Sequence, residues 1–95
     1  MKKYRVHTEN DMSDEFYTYF EALKQFKFWK HDLMSEGVQA NESFVEIAVS
    51  DDDFEDYRVI KKVVAVIDND RTELLSPREE GFEWDYWAKW QEITE

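Results

Sequence analysis

Cysteine is absent from this 95-residue chain. Its absence excludes disulfides, thiolate metal sites and a cysteine nucleophile. Glycine occurs twice and proline once, too few for a disordered or loop-dominated chain. There is no Gly-rich phosphate loop and no nucleophile elbow. Histidine occurs only as His7 and His31; the two form no ligand pair and read as surface or rim residues. No apolar run approaches the ~20 residues of a membrane span. The basic opening Met1-Lys2-Lys3 has no apolar run behind it, so no signal peptide is expected, and a cytoplasmic location is.

What is abundant is acid. Twenty-three Asp and Glu face twelve Lys and Arg, giving a net charge of −11. Solubility asks for a magnitude of only about 2–8 in a small domain. Such a charge disfavours nucleic acid and anionic lipid as direct partners. The acids cluster in connections: Glu9–Glu15, Asp51–Asp56, Asp68–Glu73 and Glu79–Asp85. Residues 1–8 hold three cations and no acid. Hydrophobic residues make up 42% of the chain and aromatics 17%. That supports one folded domain, residues 1–95, around one core.

The pattern predicts an α+β fold with the order β-β-α-β-β: a small antiparallel sheet, one long helix packed on it, and a short aromatic-rich C-terminal helical segment. Lys2–Thr8 alternates as a strand, and Glu15–Tyr19 is aromatic and β-branched, so the two suggest an N-terminal hairpin. Thr18-Tyr19-Phe20-Glu21 fits a capping box. The helix then runs to Glu36, with Ala22, Phe26, Trp29 and Leu33 on one face and Gly37 as its stop. Phe44–Val49 alternates as a half-buried strand. Arg58–Ile67 is β-branched and reads as the most buried strand. Asp68-Asn69-Asp70 reads as a turn. Pro77 is suited to open a helix. If helical, Phe82–Ile93 puts Phe82, Tyr86, Trp90 and Ile93 on one face, with Trp84 and Trp87 beside it.

Asp51, Asp52, Asp53, Glu55 and Asp56 surround a single Phe54. A calcium loop needs Gly at position six and Glu at position twelve. From Asp51 those positions hold Asp56 and Lys62; from Asp68, Glu79 closes the loop but no Gly is present. The acidic hexamer therefore reads either as a solvated hairpin loop or as a recognition surface. General acid–base work needs a carboxyl in an apolar pocket, which a sequence does not display. No catalytic residue, metal ligand or cofactor is assigned. Glu79, Glu80, Glu83 and Asp85 form a second acidic patch around the C-terminal aromatics. Their charge opposes stacking of a nucleic-acid strand there. Trp84, Trp87 and Trp90 either close one end of the sheet or anchor a protein partner.

The stretch from Tyr4-Arg5-Val6 through Thr18–Lys24, then Val45-Glu46-Ile47 and Asp56–Lys62, resembles small acidic proteins of bacteriophages and Gram-positive prophages. It covers about two thirds of the chain. The resemblance implies an anti-defence context, of the anti-CRISPR or DNA-mimic type, and assigns no functional residue. Together with the clustered acids, it leads us to expect a non-enzymatic inhibitor. The expected partner is a basic protein, a nucleic-acid-binding enzyme such as a CRISPR effector, with Asp51–Asp56 standing in for phosphates. The alternative is a scaffolding module that docks a protein, or forms a homodimer, through the C-terminal aromatic segment.

Overall fold

The computed structural model of the protein describes residues 2–75, 77–81 and 86–93. It is an α+β fold in which a four-stranded antiparallel sheet carries one long helix. The elements are β1 (Lys3–Thr8), α1 (Tyr19–Glu36), β2 (Phe44–Ser50), β3 (Arg58–Ile67), α2 (Asn69–Leu74), a 3-10 turn (Pro77–Glu80) and β4 (Ala88–Ile93). The strands lie in sequence order across the sheet.

α1 starts where its sequence demands. The Thr18 hydroxyl accepts from the Glu21 amide at 3.2 Å and donates to the Glu21 carboxylate at 3.0 Å. In a full capping box that carboxylate would reach back to the Thr18 amide. Gly37 ends the helix at φ 108°, a region that favours glycine, and its amide donates to Leu33 O at 2.9 Å. The inward stripe packs as expected. Ala22 and Phe26 are buried with Val6, Val45, Ile47 and Val63; Leu23, Trp29, Leu33 and Trp90 close around them.

Two parts of the expected order are corrected. Glu15–Tyr19 is not a strand. The chain from Met12 to Phe16 does turn back along β1, but its strand pairing is limited to isolated bridges at Tyr4–Phe16 and His7–Met12, with the Ser13 amide donating to Val6 O at 2.8 Å. Between them the Val6 amide donates to Ser13 Oγ at 2.8 Å instead of to a backbone carbonyl, so no ladder propagates. Tyr17 and Thr18 are then claimed by the helix cap, which needs extended backbone at Thr18 and helical backbone from Tyr19. The other correction concerns the C-terminus. Ala88–Ile93 is a strand, not a helix, and pairs with Lys62–Ile67. β3, expected to be the most buried strand, buries only Val63 and Ala65, whereas β2 buries five of its seven residues; the C-terminal half of β3 still needs backbone partners on both sides, which a helix does not supply. The same residues also alternate with period two, so Trp90 faces α1 and donates its indole N–H to Lys30 O at 3.0 Å. Residues 82–85 of the expected helical segment lie outside the described residues.

The expected turn at Asp68 proves to be the cap of α2. Asp68 Oδ1 accepts from the Arg71 amide at 3.2 Å. Trp87 holds this helix to the sheet. Its amide donates to Thr72 Oγ1 at 3.0 Å and its indole N–H to Leu75 O at 2.7 Å. The Arg71 guanidinium lies 3.8 Å from its ring centroid. Pro77 opens the 3-10 turn and is buried. Opposite α1, the second sheet face is covered only in part. There β3 carries a register shift opposite Ile47–Ala48, which leaves Ile60 unpaired and 40% exposed.

Candidate partner-binding surface

The connection from β2 to β3 is built around one hydroxyl. Ser50 closes β2 and is 4% exposed. Its Oγ lies 2.7 Å from Asp52 Oδ1 and 2.6 Å from Asp56 O, and accepts from the amides of Asp52 at 3.2 Å and Phe54 at 3.0 Å. A hydroxyl has one proton and two lone pairs, so this environment saturates it. Asp52 Oδ1 in turn accepts from the Asp56 amide at 3.0 Å. The Ser50 hydroxyl, and after it the Asp56 amide, hold the Asp52 carboxyl below its ordinary range. Asp52 is thus part of the loop's own wiring.

The next two residues turn the chain left-handed, Asp53 at φ 59° and Phe54 at φ 67°. Phenylalanine adopts that conformation at a cost of ~1–2 kcal/mol. Contacts on the open sheet face offset it. The Arg5 guanidinium sits 4.2 Å from the Phe54 ring centroid, and the Tyr57 ring lies 6.2 Å from it. Tyr57 meets His7 edge-on at 5.5 Å. Arg5, His7, Phe54 and Tyr57 also line an open hollow of about 650 Å³. Burial pushes the His7 imidazole below its ordinary pKa, against the pull of Glu46, its partner across the β1–β2 ladder.

The same turn brings Asp53 to Lys3, at 2.5 Å. Lys3 also pairs with Glu15 at 3.1 Å, and Glu15 with Arg5 at 3.0 Å. Hydrogen bonds from Lys3 hold the Asp53 and Glu15 carboxyls low. The basic N-terminal strand therefore lies beside the acidic hairpin, where β1 pairs Lys3 with Ser50. Of the five hairpin carboxylates, Asp52 and Asp53 are engaged within the protein. Asp51, Glu55 and Asp56 are exposed and form no ion pair among the described residues.

The ladder keeps the acidic clusters from gathering at one end of the sheet. β3 has ten residues, which at ~3.3 Å each separate its two ends by roughly 30 Å. Asp51–Asp56 and Glu15 stand at its start. Asp68, Asp70, Glu73, Glu79 and Glu80 stand beyond its end, on α2 and the 3-10 turn. Glu36 and Glu42 join them, because the Asn41 amide donates to Ala65 O at 2.6 Å. These acidic residues are thus divided between two ends of a molecule measuring 51 × 23 × 20 Å. Glu83, Trp84 and Asp85 lie outside the described residues.

The other tryptophans belong to the fold. Trp87 is 7% exposed and Trp90 is half-buried, each with its indole N–H committed to a backbone carbonyl. Period-3.6 counting missed this because it assumed a helix. The part of Glu15, Arg5 and Phe54 was missed too. Among the described residues, no three Asp, Glu or His side chains gather as a metal site, and no helix is long and apolar enough to cross a membrane. The chain matches no protein-family model, no curated protein and no solved structure.

Proposed function

We propose that this protein is a non-enzymatic inhibitor that occupies the basic, nucleic-acid-holding surface of a host defence nuclease in the cytoplasm. A CRISPR effector, with its cationic channel and PAM-reading arginines, is the type of partner meant. The observation that carries the reading is the wired hairpin tip. Asp51, Glu55 and Asp56 project from a loop whose backbone is fixed by Ser50 and Asp52, and none of the three has an ion-pair partner among the described residues. Preorganised charge of this kind loses little entropy on binding.

The spacing of the two ends is further support. A separation of roughly 30 Å is close to the ~34–36 Å of one duplex turn. Two acidic ends at that distance match two phosphate-binding stretches one turn apart. In this reading Asp51, Glu55 and Asp56 stand in for phosphates, while Asp52 and Asp53 shape the loop that carries them. Glu80 and its neighbours supply the second contact.

The test is inhibition of a panel of guide-directed and restriction nucleases. Replacing the three carboxylates together (Asp51→Asn, Glu55→Gln, Asp56→Asn) is expected to weaken inhibition at least about tenfold, as loss of several charge contacts does. Inhibition should also fall as salt rises. If the triple variant inhibits as well as the parent, or if no nuclease is inhibited, the reading is wrong.

A further inference from the structure

The outward side of α1 carries a ridge that the fold leaves uncovered. Phe20 and Phe28 are 64% and 63% exposed. With Lys24 and Asp32, both exposed, they occupy four successive positions four residues apart. Such positions form one ridge on a helix surface. Lys24 Nζ lies 4.7 Å from the Phe20 ring centroid. Residues 22–31 hold Lys24, Lys27 and Lys30 and no acid, in a chain of net charge −11. The two aromatics are separated along the ridge by Lys24, so charge and apolar surface alternate on it.

The ridge reads Phe20, Lys24, Phe28, Asp32. Phe28 stands midway between a cation and an anion, each four residues away. If a second α1 is laid antiparallel with Phe28 at the centre, Phe28 meets Phe28 of the partner subunit. Lys24 then meets Asp32 of the partner subunit, and Asp32 meets Lys24 of the partner subunit. A two-fold interface requires such self-complementarity, in which one residue contacts a second and the second contacts the first. An anionic membrane or a nucleic acid would meet Asp32 and the negative charge of the whole chain. An acidic protein would find no use for Asp32, and a basic one none for Lys24. The reversed image of the ridge matches both charges at equal spacing.

We infer that the protein forms an antiparallel two-fold dimer through the ridge of α1 centred on Phe28, with Lys24 and Asp32 as its matched charges. Ridges of this type interdigitate at a crossing angle of about −50°. The helix has eighteen residues, about 27 Å at 1.5 Å per residue. One such face falls short of the ~1,600 Å² of a standard interface. The dimer is therefore weak, with a dissociation constant between roughly 1 µM and 1 mM. Repulsion between two strongly negative copies is long-ranged and screened by salt. Dimerisation should thus strengthen from low to moderate ionic strength, opposite to the salt dependence expected of nuclease binding.

Sedimentation velocity across that concentration range tests this directly. The wild-type mass should rise from the 11.6 kDa of one chain toward twice that value. Phe28→Asp should remain monomeric. Lys24→Asp and Asp32→Lys should each weaken association about tenfold, because each sets like charges together twice per dimer. The double variant Lys24→Asp/Asp32→Lys should recover it to within about threefold, because the swap restores both pairs. All these positions are exposed, and circular dichroism confirms that each variant keeps its helix. A wild type that stays monomeric overturns the inference. So does a dimer indifferent to Phe28→Asp, which would point instead to pairing along the outer edge of β4. A double variant no better than the singles overturns it as well.

Discussion

Ser50 shows how one buried hydroxyl sets the shape of an acidic loop. Its Oγ is the meeting point of two amides, a carboxylate and a carbonyl drawn from residues 52–56. Ser50→Ala removes all four contacts while keeping the residue small enough for its site. We expect a loss of about 1–3 kcal/mol in stability, the cost of leaving such groups without their partner. Amide hydrogen exchange should quicken at Phe54 and Asp56 but not at Val45 or Ile47 in the middle of β2. Unchanged exchange in the loop would mean that Phe54, held by Arg5 and Tyr57, fixes the turn by itself. In the sequence Ser50 is one more polar residue ahead of an acidic run. Its role depends on the chain turning back toward it, which local pattern does not encode.

At the scale of the element, α1 was legible because its signals are local. A cap at Thr18, an apolar stripe through Ala22, Phe26, Trp29 and Leu33, and a stop at Gly37 all lie within twenty residues of one another. Thr18→Ala removes the acceptor for the Glu21 amide and the donor to the Glu21 carboxylate together. It should cost ~1 kcal/mol, read as a lower midpoint in urea with unchanged slope. A loss below a few tenths would mean that packing of Phe26, and not the cap, fixes the helix start. β4 was misread for the opposite reason. Ala88–Ile93 suits either period, and the choice was made by β3, whose edge from Lys62 to Ile67 needs a partner. The Glu15–Tyr19 strand failed in competition with the cap that claims the same residues.

At the scale of the whole molecule, charge couples stability to pH with a definite sign. The carboxyls of Glu15, Asp52, Asp53 and Glu92 sit below their ordinary values of 4.5 and 3.8. Their stabilisation is complete above those values and is lost as pH falls through the lower folded ones. His7 acts in the same direction from 6.5 downward, because burial disfavours its charged form. Lys3 and Lys61 are raised above 10.5 by hydrogen bonds to Asp53 and Glu92, so their contributions fade only in stronger alkali. The stability difference between wild type and His7→Gln should be constant above about pH 6.5 and should shift in favour of the variant below it. Denaturation midpoints measured from pH 4 to pH 8 check this. A difference that is flat across that range would show that His7 titrates alike in the folded and unfolded chain.

The sequence by itself determined the α+β class, the single long helix with its cap and stop, the β2–β3 pair, and the placement of the Asp51–Asp56 run in the connection between them. Each follows from residues close together along the chain: a period of two or 3.6, a capping residue, a run of Asp. Only the tertiary structure decided which end each acidic cluster occupies and which carboxylates are already engaged. It also decided that Trp87 and Trp90 are built into the packing. Those outcomes depend on contacts between distant residues, Lys3 with Asp53, Trp90 with Lys30, Asp68 with Trp87. Long-range pairing is set by the need to satisfy every buried backbone group at once, a condition that no short stretch of sequence expresses.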